Sequence, residues 1–144
     1  MRRFWWPLGI VLALALALAG AGFTVSELGG EVVILRTRDG SRTATTRLWI
    51  VDDEGRPWLR AGSPGSGWLR RIAAHPDVEM ERAGRPLAVR AAPVSDPDVR
   101  DRINRLMREK YGFADRVVSF LVVLTAGDRA RSVPVRLDPA PPAR

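Results

Sequence analysis

Apolar residues recur along this chain with more than one period, and each period predicts a different element. Val32 to Leu35 and Thr46 to Val51 are rich in β-branched and aromatic residues. Turn signals bound them at Asp39-Gly40 and at Asp53 to Gly55, so both read as strands. Pro57 to Ala61 reads as a third strand, and it ends in Gly62-Ser63-Pro64-Gly65-Ser66-Gly67. The period then changes. Trp68, Leu69 and Ile72 share one face of a short helix over Gly67 to Ala74. Ser66 stands at its N-cap, and Pro76 stops it. From Asp77 to Arg82, Val78 and Met80 alternate with charged neighbours, as in a half-buried strand. After the Ala83-Gly84 turn, Leu87, Val89 and Ala91 continue the alternation in a partner strand.

A longer helix comes next. Ser95 or Asp96 caps it, Pro97 suits its first turn, and Asp98 complements the dipole there. Val99, Ile103, Leu106, Met107 and Lys110 recur at helical spacing, with Arg100, Arg102, Arg105 and Arg108 among the outward positions. Gly112 reads as its terminator. Val117 to Leu124 is apolar on all sides, a pattern that fits a buried helix and a buried strand equally. Arg129 to Leu137 places Val133, Val135 and Leu137 inward as a closing strand. Short strands with tight turns and flanking helices predict a mainly β domain built as a small antiparallel barrel.

The N-terminus carries a separate signal. Met1-Arg2-Arg3 precede an uncharged apolar run from Phe4 to Phe23. A transmembrane helix needs about 20 such residues, and Trp5-Trp6 fit an interfacial aromatic belt. A cleaved signal peptide is the other reading, with small-residue sites at Ala17-Leu18-Ala19 or Ala19-Gly20-Ala21. For an anchor, Arg2 and Arg3 keep the N-terminus cytoplasmic and put the domain on the extracytoplasmic side. The chain therefore divides into an anchor or signal over residues 1–25, a domain over 30–138, and a proline-rich tail over 139–144.

Composition narrows the chemistry. There are 144 residues, no cysteine and a single histidine, His75, which excludes disulfides, thiolate catalysis and a His-rich metal site. The formal charge is +7, of which Arg2 and Arg3 lie outside the domain. Basic residues form no cluster interleaved with aromatics, so nucleic acid is a poor partner. An anionic ligand, a lipid headgroup surface or a plain solvated surface all suit the balance. The Gly-x-Ser-x-Gly spacing of a hydrolase elbow is absent.

The loop from Gly62 to Gly67 leaves many backbone N–H groups free at a helix start. With Arg60, Arg70 and Arg71 beside it, it is a candidate phosphate cradle. Two arginines in a first helical turn oppose the helix dipole, which argues for an anion there. On the preceding strand, alternation separates Thr45 and Arg47 from Thr46.

Several segments together resemble the flavin/deazaflavin split-barrel superfamily: Gly40-x-x-x-x-Thr45-Thr46-Arg47-Leu48-Trp49, Arg60-Ala61-Gly62-Ser63, Gly67-Trp68-Leu69-Arg70-Arg71 and Ala74-His75-Pro76-Asp77-Val78. Within that pyridoxamine-phosphate-oxidase-like superfamily the segments look most like deazaflavin-dependent nitroreductases. The chain departs from them at Ala44, where a basic residue is usual, and at Arg71, where asparagine is usual. The resemblance implies a six-stranded antiparallel split barrel. It implies binding of F420 (deazaflavin) or FMN by Arg42, Thr45, Thr46, Arg47, Gly62, Ser63, Trp68, Arg70 and Arg71. It also implies that Tyr111, from the C-terminal part of the domain, approaches the substrate, and that two subunits share a site in a homodimer. A phenol there can protonate a product. The bland alternatives are core packing for Trp68 and a helix C-cap for Tyr111. Two functions follow: a membrane-anchored oxidoreductase of the nitroreductase or quinone-reductase type, or a non-catalytic split barrel that binds flavin, haem or a lipid headgroup.

Overall fold

Strand alternation produces most of the architecture. In the computed structural model, which describes residues 30–126 and 131–141, six strands close into one barrel. They are β1 (Val32–Asp39), β2 (Arg42–Asp53), β3 (Arg56–Ala61), β4 (Asp77–Arg82), β5 (Arg85–Pro93) and β6 (Val133–Pro139). Their order around the barrel is β1-β2-β3-β6-β5-β4, and every pairing is antiparallel. The N-terminal apolar run lies outside the described residues. Two hairpins turn through paired positive φ values, 51° and 74° at Glu54-Gly55 and again at Ala83-Gly84. That left-handed pair matches the right-handed strand twist.

Inward positions make the first core. Val33, Leu35, Ile50, Leu59, Met80, Val135 and Leu137 are almost wholly buried. Helix α1 (Gly67–Ala74) adds Trp68, Leu69 and Ile72 to the same cluster. The barrel interior is therefore packed, as the small diameter of such a barrel requires. The second core lies outside the barrel. Helix α2 (Pro97–Ala126) buries Ile103, Met107 and Tyr111 against Val51 and Trp58, which are cross-strand partners on β2 and β3. Here β2 is covered on both faces, which explains its unbroken apolar stretch from Leu48 to Val51.

Several expectations shift. β2 begins at Arg42 rather than Thr46, because exposed threonine and arginine positions extend the pairing with β1. β6 is displaced toward the C-terminus and includes Asp138, whose carboxylate is bonded by Arg56 and Arg136. Leu87 is exposed, because β6 pairs with β5 only from Val89 onward. Gly112 breaks the helix where expected, but a second helical segment follows it directly. It takes φ 51° and ψ −117° inside α2, and the chain then resumes as helix to Ala126. The apolar run after Val117 is thus helical.

Beyond the kink, Asp115 is completely buried and receives Arg60 Nη2 at 2.6 Å. Asn104 stands beside this pair, at 3.4 Å from Arg60 Nη1, and donates to Ser132 Oγ at 3.0 Å. One polar cluster thereby ties both halves of α2 to β3 and to the residue preceding β6. Removing one partner of such a buried pair costs about 3–5 kcal/mol, since the other is left charged and uncompensated.

Tyr111 pins the seam just before the kink. Its ring stacks on Trp49 with centroids 4.5 Å apart and planes 9° from parallel. Its hydroxyl accepts the Ile50 N–H at 2.9 Å and faces the carbonyl oxygens of Ile50 and Glu31, each at 2.7 Å. Lys110 reinforces the seam with bonds to Ile50 O and Glu31 Oε2. Burial is the main cause that pushes the phenol up to about 12. A group raised in the folded state contributes stability that is complete below the unfolded value near 10 and is lost as pH rises toward 12. Tyr111 is the only tyrosine in the chain, so tyrosinate absorbance reports it alone. We expect its titration midpoint near 12 and an alkaline loss of stability that Tyr111→Phe removes. A midpoint near 10 would contradict the buried phenol.

Candidate functional site

The loop after β3 bends because Ser63 O accepts both Ser66 N, at 3.2 Å, and Ser66 Oγ, at 2.9 Å. Ser66 is the N-cap residue of α1, yet its hydroxyl makes no cap bond to the helix. The first-turn N–H groups of α1 thus receive no side-chain cap, and no acidic residue stands in that turn.

Arg71 is the side chain that organises this end of the barrel. It lies in the last turn of α1, not the first, where a cation suits the dipole. Its side chain runs back toward the helix start, the direction favoured on helices, so that Nη1 is 3.3 Å from the point where a Cβ on Gly67 would stand. Nε donates to Thr37 Oγ1 at 2.7 Å, and Nη2 lies 3.4 Å from Thr46 Oγ1. Thr37 is buried, on the inward side of β1 that Val33 and Leu35 also occupy. Arg71 is half-buried rather than a surface residue.

The other candidates divide sharply. Thr46 faces inward toward Arg71, whereas Thr45, Arg42, Arg47 and Arg70 are exposed. Gly62 and Ser63 form the half-buried start of the loop. Trp68 does not line the loop surface; it is 7% exposed and sits in the barrel core, because its helical face is the one that plugs the barrel. Arg60 does not reach the cradle either, since it is held by Asp115 on the α2 side. Tyr111 is in the seam under α2, with its hydroxyl bonded to the backbone.

A crevice of about 420 Å³ opens where β1 meets β4, lined among others by Arg36, Thr37, Arg38, Thr43 and Val89. That volume falls within the range of small-molecule pockets. Arg36 is already committed there, at 2.8 Å from Glu79 and 2.7 Å from Glu81. A smaller hollow of about 250 Å³ adjoins it, with Arg38 and His75 on its walls. Thr37 is the position at this end of the barrel that sequence patterning missed. A hydroxyl at the third inward position, after Val33 and Leu35, was the available signal.

The model of a family described as "Uncharacterized protein conserved in bacteria (DUF2255)" matches residues 29–137, and the chain belongs to that family. No curated protein matches it. Among solved structures, it shares its fold with HutZ, the haem storage protein of Vibrio cholerae, at 17% identity and a TM-score of 0.57, over 77% of this chain and 82% of that one. An F420 reductase aligns at 20% identity and a TM-score of 0.52, over 77% of this chain and 87% of that one. A FAD-binding protein from Mesorhizobium loti aligns at 14% identity and a TM-score of 0.52, over 78% and 83%. The barrel thus has the fold of these three proteins.

Arg71 has a structural role that can be measured without any ligand. Arg71→Ala removes a charged donor from buried Thr37, an interaction worth about 1.5–3 kcal/mol. We expect that loss in urea denaturation, with Thr37→Val losing less because no cavity forms. Unchanged stability in Arg71→Ala would show that the bond to Thr37 contributes nothing.

Proposed function

We propose that this DUF2255 member binds a phosphorylated flavin-type cofactor, F420 or FMN, at the α1 end of its barrel. It is held at a membrane by its N-terminal apolar segment and acts as a reductase on a quinone- or nitro-type acceptor. The observation that carries the reading is the uncapped start of α1 beside the Arg71 guanidinium. Free backbone N–H groups, a helix dipole and a cation at one point suit a phosphate oxygen. The donor set therefore fits the anionic part of such a cofactor.

Each residue has a separate part in this reading. The Gly62–Gly67 loop and the first turn of α1 hold phosphate through backbone N–H groups. Arg71 adds charge and is kept in place by Thr37 and Thr46. Arg70, and Arg42, Thr45 and Arg47 on β2, extend polar contact at the exposed rim. A bound flavin or deazaflavin supplies the hydride chemistry. Tyr111 takes no proton-donating part, because its buried hydroxyl is committed to Ile50 and Glu31. It serves as an anchor for α2.

A second reading is favoured by His75. It is exposed at the end of α1 and lines the 250 Å³ hollow, where an imidazole could ligate haem iron. In that reading the protein is a carrier and not a reductase.

Titration of the full-length protein with FMN, F420 or haem, followed by absorbance and fluorescence, separates the two. We expect saturable binding of a flavin-type cofactor. Arg70→Ala should weaken it by a few tenths to about 1 kcal/mol, as for an exposed charge, with stability unchanged. Arg71→Ala should weaken it by about 1.5–3 kcal/mol. Unaltered dissociation constants in both variants would move the site elsewhere. A haem Soret band lost in His75→Ala would favour the carrier.

A further inference from the structure

The point at which the N-terminal segment enters the barrel is fixed. Gly30 lies so close to Tyr111 that a Cβ there would meet two ring carbons at 2.2 Å. Glu31 O is bonded by the Tyr111 hydroxyl at 2.7 Å, and Glu31 Oε2 by Lys110 Nζ at 2.7 Å. The apolar run ends at Phe23, so only Thr24 to Gly29 separate it from this anchor point. Six residues reach at most about 20 Å when fully extended. If the run spans a bilayer, Tyr111 is therefore tethered within about that distance of the membrane surface.

Immediately beyond Tyr111, the kink at Gly112 redirects α2. Phe113 and Phe120 on the redirected half are 71% and 66% exposed. Seven residues apart, they stand two turns from each other on one stripe of the helix. Large exposed aromatics on one stripe mark an interaction face, and amphipathic helices with such a face lie in membrane interfaces. Arg116, between them in sequence, is also exposed, and the chain carries a net charge of +7.

We propose that the second half of α2 lies on the lipid bilayer surface, with Phe113 and Phe120 inserted into the headgroup boundary. This rests on reading the N-terminal run as an anchor. The tether fixes where the domain meets the membrane, and the aromatic stripe fixes which face it presents. Aromatic insertion at a second point stops the domain from tumbling about its linker. It would hold the α1 end of the barrel at a constant height above the bilayer.

The absence of cysteine permits a direct test in the full chain. Spin labels are placed singly through Phe113→Cys, Phe120→Cys and Ser41→Cys, and the protein is reconstituted into vesicles of phosphatidylcholine and phosphatidylglycerol. Ser41 is exposed and lies nine residues along the chain from Ile50, roughly 30 Å at strand rise. Labels at 113 and 120 should collide several-fold more with oxygen, and several-fold less with a water-soluble nickel chelate, than the label at 41. Aqueous behaviour at 113 and 120 in protein that stays in the vesicles through carbonate washing overturns the docking alone. Release by carbonate, or a mature N-terminus near Gly20, overturns the anchor reading and the docking with it. Short label-to-label distances at 113 and 120, with shielding from both reagents, would assign the face to a second copy of the chain and overturn the lipid contact.

Discussion

A closed barrel whose interior is already full has nowhere inside to put a ligand. That constraint governs the rest of this molecule. Inward side chains of all six strands meet three apolar residues of α1, and the cluster they form includes side chains with no measurable exposure. Burial of this kind contributes about 25 cal/mol per Å² of apolar surface, and it outweighs anything the surface charges supply. Any ligand would then have to bind at a barrel end or on an outer face. The α1 end is the place where backbone donors, a cation and inward-facing hydroxyls converge.

The outer face of β2 and β3 is closed by a different logic. Apolar residues of α2 cover Val51 and Trp58, but the position of the helix is set by polar bonds. Tyr111 stands on the backbone of β2 and of the residue before β1, and Arg60 reaches Asp115 across the kink. Glu31, Asp52, Arg82 and Lys110 form a charged cluster around the same seam, in which Arg82 holds both carboxyls below their usual range. Their protonation at low pH would remove that contribution, so the seam is stable above the ordinary carboxyl range and weakens below it. A seam made of directed bonds keeps one register. Hydrophobic contact alone would allow α2 to slide.

Elements with a clear period were legible in the sequence, because burial on one face imposes that period directly. α1 and β4 have the bounds that alternation and helical spacing predicted. The first residues of β2 escape the pattern, since its inward positions there carry only the small or polar Ala44 and Thr46 and give no strong apolar signal. Gly112 was legible as a helix break, since a positive-φ glycine interrupts helical geometry, but nothing in the pattern showed that a second helical segment resumes directly after it. At the candidate site, Arg71 and Thr46 were visible as residue types but not as partners. Thr37, which joins them, became visible only once β1 and α1 were placed together. Trp68 illustrates the converse, as its position beside a glycine-rich loop says nothing of the face on which it points.

If the α1 end binds a phosphate as proposed, Arg71 serves both the empty and the filled site. A guanidinium at the start of a helix faces unfavourable partial charges and would be displaced toward water if it had no other partner. Thr37 and Thr46 prevent this by holding Nε and Nη2 from the inner wall of the barrel. The fork is rigid, so fixing two of its nitrogens also fixes the third, beside Gly67. An arriving phosphate would meet a donor that is already oriented, with little side-chain entropy left to lose. Glycine at position 67 keeps that approach open, since any larger residue would place its Cβ against Nη1.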